Sequence, residues 1–175
     1  SQYVHDFKGE YQLTVANLEV EEVGDISIDL EKPFAIDSEA YDGVLCINVL
    51  EHIFNYQNVI QETYRVLKAG GETVFAVPFL VQVHPSPRDH WRFTEDTLKK
   101  LFLDAGFSEV TVSPVGAGVF TAVAQLMFNA SHFSAVRFVV AKVCGGLDWL
   151  IGNVTKGKTY SRNFYPLGYV VSAKK

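Results

Sequence analysis

Cysteine, positive charge and long unbroken apolar runs are all scarce in this chain. The two cysteines, Cys46 and Cys144, lie far apart in sequence, so they form neither a disulfide framework nor a metal-type thiol spacing. A reducing, cytoplasmic setting is the expectation. Lys and Arg number 15 against 20 Asp and Glu, a formal net charge of −5. Such a chain offers no basic footprint for nucleic acid, and no nucleic-acid partner is expected. The most hydrophobic region, Val115–Ile151, is broken by Asn129, His132, Arg137, Lys142 and Asp148. A membrane-spanning helix asks for about 18 or more consecutive apolar residues, so none is expected. The polar, charged opening Ser1–Glu10 does not read as a signal peptide.

What is present is an ordinary globular composition, 48% apolar and 20% charged over 175 residues, with room for one domain and one continuous core. Strand and helix signals alternate. Leu13–Asn17 and Gly24–Asp29 are short runs with β-branched residues. Tyr41–Asn48 is almost continuously apolar, as a parallel strand covered on both faces should be. From Asn55 to Lys68, Val59, Ile60, Tyr64 and Leu67 recur at helical spacing, with Lys68 in the last turn and Gly70-Gly71 as the stop. Thr73–Leu80 is the next strand. Thr94 reads as an N-cap, followed by Glu95 and Asp96 in the first turn, where carboxylates suit the helix dipole. Leu98, Leu101, Phe102 and Ala105 form the buried face of that helix, and Gly106 ends it. Glu109–Ser113 and Tyr165–Ser172 are further strands. The order predicts an α/β fold with a mainly parallel sheet, in which ligands bind beyond the carboxyl ends of the strands.

Three places just after strands carry chemistry. Asp29 offers a carboxylate that accepts hydrogen bonds from an amino group or ribose hydroxyls, or is simply a solvated turn residue. Asn48-Val49-Leu50-Glu51-His52 follows the most buried strand. There Glu51 and His52 form an acid/base or positioning pair, or else Glu51 caps the coming helix while His52 packs beneath it. The loop His84–Thr94 concentrates two histidines, an aspartate, two arginines and a tryptophan on a proline-stiffened backbone. Its structural reading is local: Asp89 pairs with Arg92 and Trp91 plugs the core. Its functional reading has Asp89 orienting Arg92 or a histidine. The spacing of His84, Asp89 and His90 matches no zinc pattern, and no metal ligands are assigned.

Taken together, YDGVLCINVLEH (Tyr41–His52), RVLKAGG (Arg65–Gly71), PFLVQVHPSPRDHWRFT (Pro78–Thr94) and the helix end Asp104–Phe107 resemble the class I S-adenosylmethionine-dependent methyltransferases, specifically the small bacterial type-11-like domains. The resemblance runs from about Tyr11 to Phe107 and more loosely to Lys175. It implies a Rossmann-like sheet whose last strand, Tyr165–Ser172, runs antiparallel, with S-adenosylmethionine across the strand ends. On this alignment Asn17, an amide where the family usually has an acid, meets the ribose hydroxyls. Asp29 and Leu30 lie by the adenine, and Asn48, Val49 and Leu50 pass the methionine end. His52, His84 and His90 become the catalytic candidates, and His84, Asp89, Trp91 and Arg92 the acceptor-binding ones. The acceptor expected is a small metabolite, a sugar or a lipid-linked glycan.

The family's first strand ends in a motif like LDxGxG, whose glycines let the backbone approach the cofactor. Ser1–Glu10 holds only Gly9. Residues 1–175 are therefore expected to form one N-terminally incomplete domain, with the first strand and its glycine-rich turn encoded upstream of Ser1. A rival from another class is a non-catalytic binding or assembly module of the same shape. A nicotinamide oxidoreductase is disfavoured because no GxGxxG is present. The apolar helical insertion at about 115–153 is expected to pack on the sheet as an enlarged late helix. The alternatives for it are a lid over an apolar acceptor, a homodimer interface and a membrane-surface contact.

Overall fold

The structure, a computed structural model, describes residues 11–18, 25–128, 134–156 and 161–175. Ser1–Glu10, Gly24, Asn129 and His132 lie outside the described residues. In chain order the elements are β1 (Ala16–Asn17), β2 (Ile26–Ser27), β3 (Tyr41–Ile47), a 3₁₀ turn (Leu50–His52), α1 (Tyr56–Val66), β4 (Leu67–Pro78), α2 (Glu95–Asp104), β5 (Ser108–Val115), α3 (Val119–Phe128), α4 (Ser134–Val154) and β6 (Gly168–Lys174). β1 and β2 pair in parallel, and the other four strands are ordered β3-β4-β6-β5. β3 and β4 are parallel, while β6 runs antiparallel to both β4 and β5. Strands β3, β4 and β5 therefore point one way, and only β6 is reversed between its neighbours. This is the Rossmann-like arrangement expected from the sequence, with the antiparallel strand last in the chain.

The core lies where α1 and α2 cover this sheet. β4 and β6 contribute Phe75, Val77 and Val171, α1 contributes Val59 and Ile60, and α2 contributes Leu98 and Phe102. Phe75 meets Phe102 edge-on at 5.0 Å between ring centroids, a geometry that aligns the positive ring edge with the negative face. Leu101 and Ala105 pack at the margin of this core. The α2 boundaries follow from local chemistry: the Thr94 hydroxyl accepts from the Thr97 N–H, and Glu95 and Asp96 fill the first turn. At the other end Gly106 adopts φ +104°, and a Cβ there would stand 3.0 Å from the Tyr64 ring, so the turn demands glycine.

Helix α1 stops at Val66, two residues short of the expected end at Lys68. Leu67 is already extended (φ −72°, ψ 139°) and fully buried. The carbonyls released by the helix end are met from elsewhere: Lys175 Nζ donates to Leu67 O at 2.7 Å and the Glu39 N–H donates to Arg65 O at 3.0 Å. Lys68 reaches instead to Asp42 on β3, at 2.8 Å.

The region 115–153 also departs from expectation. It forms two helices, α3 and α4, and among the described residues their main packing is against each other rather than on the sheet. Buried Asp148 on α4 caps α3, accepting from the Phe120 N–H at 3.0 Å and from the N–H and hydroxyl of Thr121 at 2.8 and 2.6 Å. Apolar side chains occupy several sides of these helices, so no single stripe directs them onto the sheet. Val123, Leu126, Phe138, Val139 and Trp149 remain exposed.

The connection from β2 to β3 is held by α1. Glu62 accepts the Phe34 N–H at 2.7 Å and both arms of Arg65 at 2.9 and 2.7 Å, while Arg65 donates to Phe34 O and Ile36 O. Glu62→Ala strands these donors and should cost about 1–3 kcal/mol at neutral pH. Hydrogen bonding from Arg65 holds the Glu62 carboxyl below its ordinary range. That contribution is present above the unfolded-state pKa and is lost as pH falls through the folded-state value. Denaturant titrations near neutral pH and in acid should show the gap between wild type and variant narrowing in acid.

Candidate functional site

At the carboxyl end of β3 the chain must turn from the sheet into α1 within a few residues. Asn48 makes the turn in the left-handed region (φ +52°), which asparagine tolerates better than most residues. Its N–H stays on Ala76 O of β4 at 2.9 Å. Leu50 then anchors the 3₁₀ turn in the core, and the next side chain, Glu51, is also fully buried. Among the described residues neither carboxylate oxygen of Glu51 has a hydrogen-bond partner. Burial pushes its carboxyl above the ordinary range, against the opposing influence of its own main-chain N–H and of His52, His84 and Arg92.

Two imidazoles face this carboxylate. His52 Nδ1 lies 2.6 Å from Arg88 O and its Nε2 lies 3.7 Å from Glu51 Oε1. His84 Nδ1 lies 3.0 Å from Gln82 O and its Nε2 also lies 3.7 Å from Glu51 Oε1. A carbonyl can only accept, so in each ring Nδ1 carries the proton and donates it; in the neutral ring the Nε2 lone pair is left facing Glu51. The two rings meet edge-on at 5.2 Å. His52 is nearly buried, and His84 is the member of the group open to solvent.

The loop after β4 closes over Glu51 through the main chain. His90 N–H and Trp91 N–H both donate to Glu51 O, at 2.8 and 3.2 Å. Asp89, with its side chain 2% exposed, holds the loop from within. It pairs with both arms of Arg92 and accepts the His84 N–H at 3.0 Å. Charge-assisted bonding from Arg92 holds the Asp89 carboxyl far below its usual range. Both sequence readings of Asp89 thus meet in one geometry, because the brace is also what fixes the backbone of His84. His90 does not join the cluster; its ring packs edge-on against Phe54 at 5.4 Å. Trp91 is committed to an aromatic group with Tyr56, Phe54 and Phe93, and its buried indole nitrogen has no hydrogen-bond partner among the described residues. Beside the loop lies a shallow depression of 270 Å³, lined by Phe79, Val81, Val83 and the side of the loop from Asp89 to Arg92.

The residues assigned to a nucleotide-like cofactor fall at the carboxyl ends of β1, β2 and β3. Asn17 closes β1 beside Ser27. Asp29 follows β2, accepting the Glu31 N–H at 3.1 Å and pairing with Lys32 at 2.8 Å. Its side chain remains 37% exposed, with lone pairs to spare for further donors. Leu50 is sealed in the core, so only its backbone can meet a ligand; Val49 shares the turn with it. The β2 turn and the β3 turn are joined by Glu31. Its carboxylate accepts the N–H groups of Phe54 and Asn55 at 2.8 and 2.9 Å, capping α1 from a distant loop, while Asn58 donates to Leu30 O and Lys32 O. Asp29 and Leu30 are thereby held next to the segment that carries His52. This donor and acceptor set fits the adenosine portion of S-adenosylmethionine. Sequence reasoning weighed Glu51 but left it out of the site, and it missed Glu31. The usable signal for Glu51 was its place one residue after Leu50 in a short turn off a buried strand.

Residues 9–75 match the family model described as a methyltransferase domain. A ubiquinone biosynthesis O-methyltransferase of Pseudomonas savastanoi pv. phaseolicola is 37% identical over 73 residues, covering 39% of this chain and 31% of that protein. The match therefore spans about a third of the length of this curated relative. Among solved structures, an S-adenosylmethionine-dependent methyltransferase from Archaeoglobus fulgidus superposes with a TM-score of 0.58 at 16% identity, covering 93% of this chain and 75% of that one. Another from Mesorhizobium loti gives 0.57 at 13% identity, covering 93% and 79%. These structural likenesses establish the shared fold.

Asp89→Asn removes the charge from the Arg92 fork while keeping the shape of the side chain. It should cost about 1–3 kcal/mol, which for a chain of this size lowers Tm by roughly 2–10 °C. His90→Ala, which loses one ring contact with Phe54, should shift Tm by less. Thermal melts of the two variants beside wild type check the ranking.

Proposed function

We propose that this chain acts as a class I S-adenosylmethionine-dependent methyltransferase and transfers a methyl group to a hydroxyl of a small acceptor held over Glu51, His52 and His84. The observation that carries this reading is the convergence of two imidazole lone pairs on a buried carboxylate at the carboxyl ends of the strands. S-adenosylmethionine, when bound, supplies a methyl group already activated by its sulfonium. The protein has then to bring the acceptor oxygen into line and deal with its proton. A hydroxyl is a poor nucleophile until that proton leaves, and a neutral imidazole is suited to take it near neutral pH. His84 Nε2, on the solvent side of the group, receives the proton as the new O–CH₃ bond forms and the S–CH₃ bond breaks. The resulting imidazolium is stabilised by Glu51, whose Oε1 lies 3.7 Å from the same Nε2. Asp89 keeps His84 in place, and Asn17, Asp29, Leu30 and the Asn48–Leu50 backbone hold the cofactor.

An oxygen acceptor agrees with the curated relative, which is named as an O-methyltransferase. The exposed apolar faces of α3 and α4 support an acceptor whose polar head carries an apolar tail. α3 leaves the carboxyl end of β5, the end of the sheet at which the β3 and β4 loops carry the cluster. Of the acceptors considered, a lipid-linked one suits this surface best, and contact with a membrane surface would deliver it.

Calorimetric titration with S-adenosylhomocysteine and single-turnover methyl transfer test the reading together. His84→Ala should lower turnover by about 10²–10⁴-fold, the usual worth of a general base, with cofactor affinity unchanged. Failure of the native protein to bind S-adenosylhomocysteine would favour the binding-module alternative.

A further inference from the structure

We propose that Glu51, His52 and His84 form a binding site for a divalent transition-metal ion of the zinc class. The ion would be held by Glu51 Oε1 and the two Nε2 atoms, with an open position toward the acceptor. The proposal rests on the functional reading above only for the last clause.

Four observations support the site. The three donor atoms lie within 4.8 Å of one another. Ligands at about 2.0–2.2 Å from a tetrahedral centre stand roughly 3.3–3.6 Å apart, so the two 3.7 Å separations from Glu51 Oε1 need only a slight contraction. Each imidazole donates its Nδ1 proton to a main-chain carbonyl, Arg88 O or Gln82 O. That is the outer contact that metal-ligating histidines almost always make, and it turns the bare Nε2 toward the metal. Glu51 is fully buried, and among the described residues both its oxygens lack a hydrogen-bond partner. An isolated carboxylate is expensive in such a place, and a cation between it and the two rings supplies the missing counter-charge.

The donor set selects the ion. Two imidazoles and one carboxylate suit zinc or ferrous iron, whereas magnesium and calcium prefer all-oxygen shells. Three protein ligands with a fourth position open is the pattern of catalytic rather than structural zinc. The open side here is the one on which His84 reaches solvent. An acceptor hydroxyl bound there would coordinate through oxygen and release its proton to bulk water before methyl transfer. The ion would then take the place of His84 as the group that generates the nucleophile.

Cobalt(II) reports the site without any need for activity. Metal-stripped native protein titrated with Co²⁺ should develop visible d–d absorption that saturates at one equivalent and is displaced by Zn²⁺. Glu51→Gln, which keeps the shape of the side chain, and His84→Ala should each weaken binding by at least 10-fold, while circular dichroism and S-adenosylhomocysteine affinity show the fold intact. A folded native protein with no Co²⁺ band, or both variants binding like wild type, would overturn the site. Full methyl transfer by rigorously metal-free enzyme would overturn the ion's role and leave His84 as the base. Stoichiometric metal binding without methyl transfer to any hydroxyl would uphold the site and count against the functional reading.

Discussion

The buried carboxylate of Glu51 is the constraint around which the rest of the site is arranged. A carboxylate removed from water and given no hydrogen bond is costly, and a protein relieves that cost by protonation, by a cation or by ligand. Here two imidazoles are aimed at it from different segments, each with its proton turned away onto a main-chain carbonyl. Three electron-pair donors are therefore turned toward one another. Such a group is poorly explained as packing, because an apolar side chain of similar volume would fill the space without the penalty. It is well explained as a place prepared for a positive charge, whether a proton or a metal ion.

The surrounding structure keeps that arrangement rigid. Leu50 in the core and Asn48 in its left-handed turn fix the direction of Glu51. The Glu51 carbonyl in turn receives the N–H groups of His90 and Trp91, so the residue that needs a partner also closes the loop that carries one. Asp89 and Arg92 lock the loop against itself, and the same aspartate oxygen that meets Arg92 takes the His84 N–H. Glu31 ties the β2 turn to the start of α1, which holds Asp29 beside the turn bearing His52. Three strand ends that share no side-chain ligand are thus made into one surface by main-chain contacts and two carboxylates.

Much of the fold was legible because its signals are local. The apolar run of β3, the Thr94 cap and the glycine at 106 each specify their own element, and the reversal of the last strand followed from the family resemblance. The end of α1 was misplaced because Lys68 and Gly70-Gly71 resemble a helix stop, whereas burial of Leu67 and the reach of Lys175 from the far end of the chain decide it. The packing of α3 and α4 was not legible, since helices apolar on several sides carry no direction. At the site, the pairing of Glu51 with His52 was one of the two readings of the turn after β3. The arrival of His84 beside them was not legible, because it depends on the parallel register of β3 and β4, which brings Ile47 opposite Ala76. His90 belongs to the same sequence motif as His84, yet the latch onto the Glu51 carbonyl turns its ring to Phe54.

The central claim is that this trio of side chains faces the methyl donor across the width of one acceptor oxygen. A crystal structure of the native protein with S-adenosylhomocysteine bound tests it most directly. The account predicts the thioether sulfur within about 8 Å of the Nε2 atoms of His52 and His84, the span of a methyl group and one hydrogen-bonded oxygen, with no side chain between them. A sulfur farther away than that, or one screened from Glu51, His52 and His84 by the core around Leu50, would contradict it.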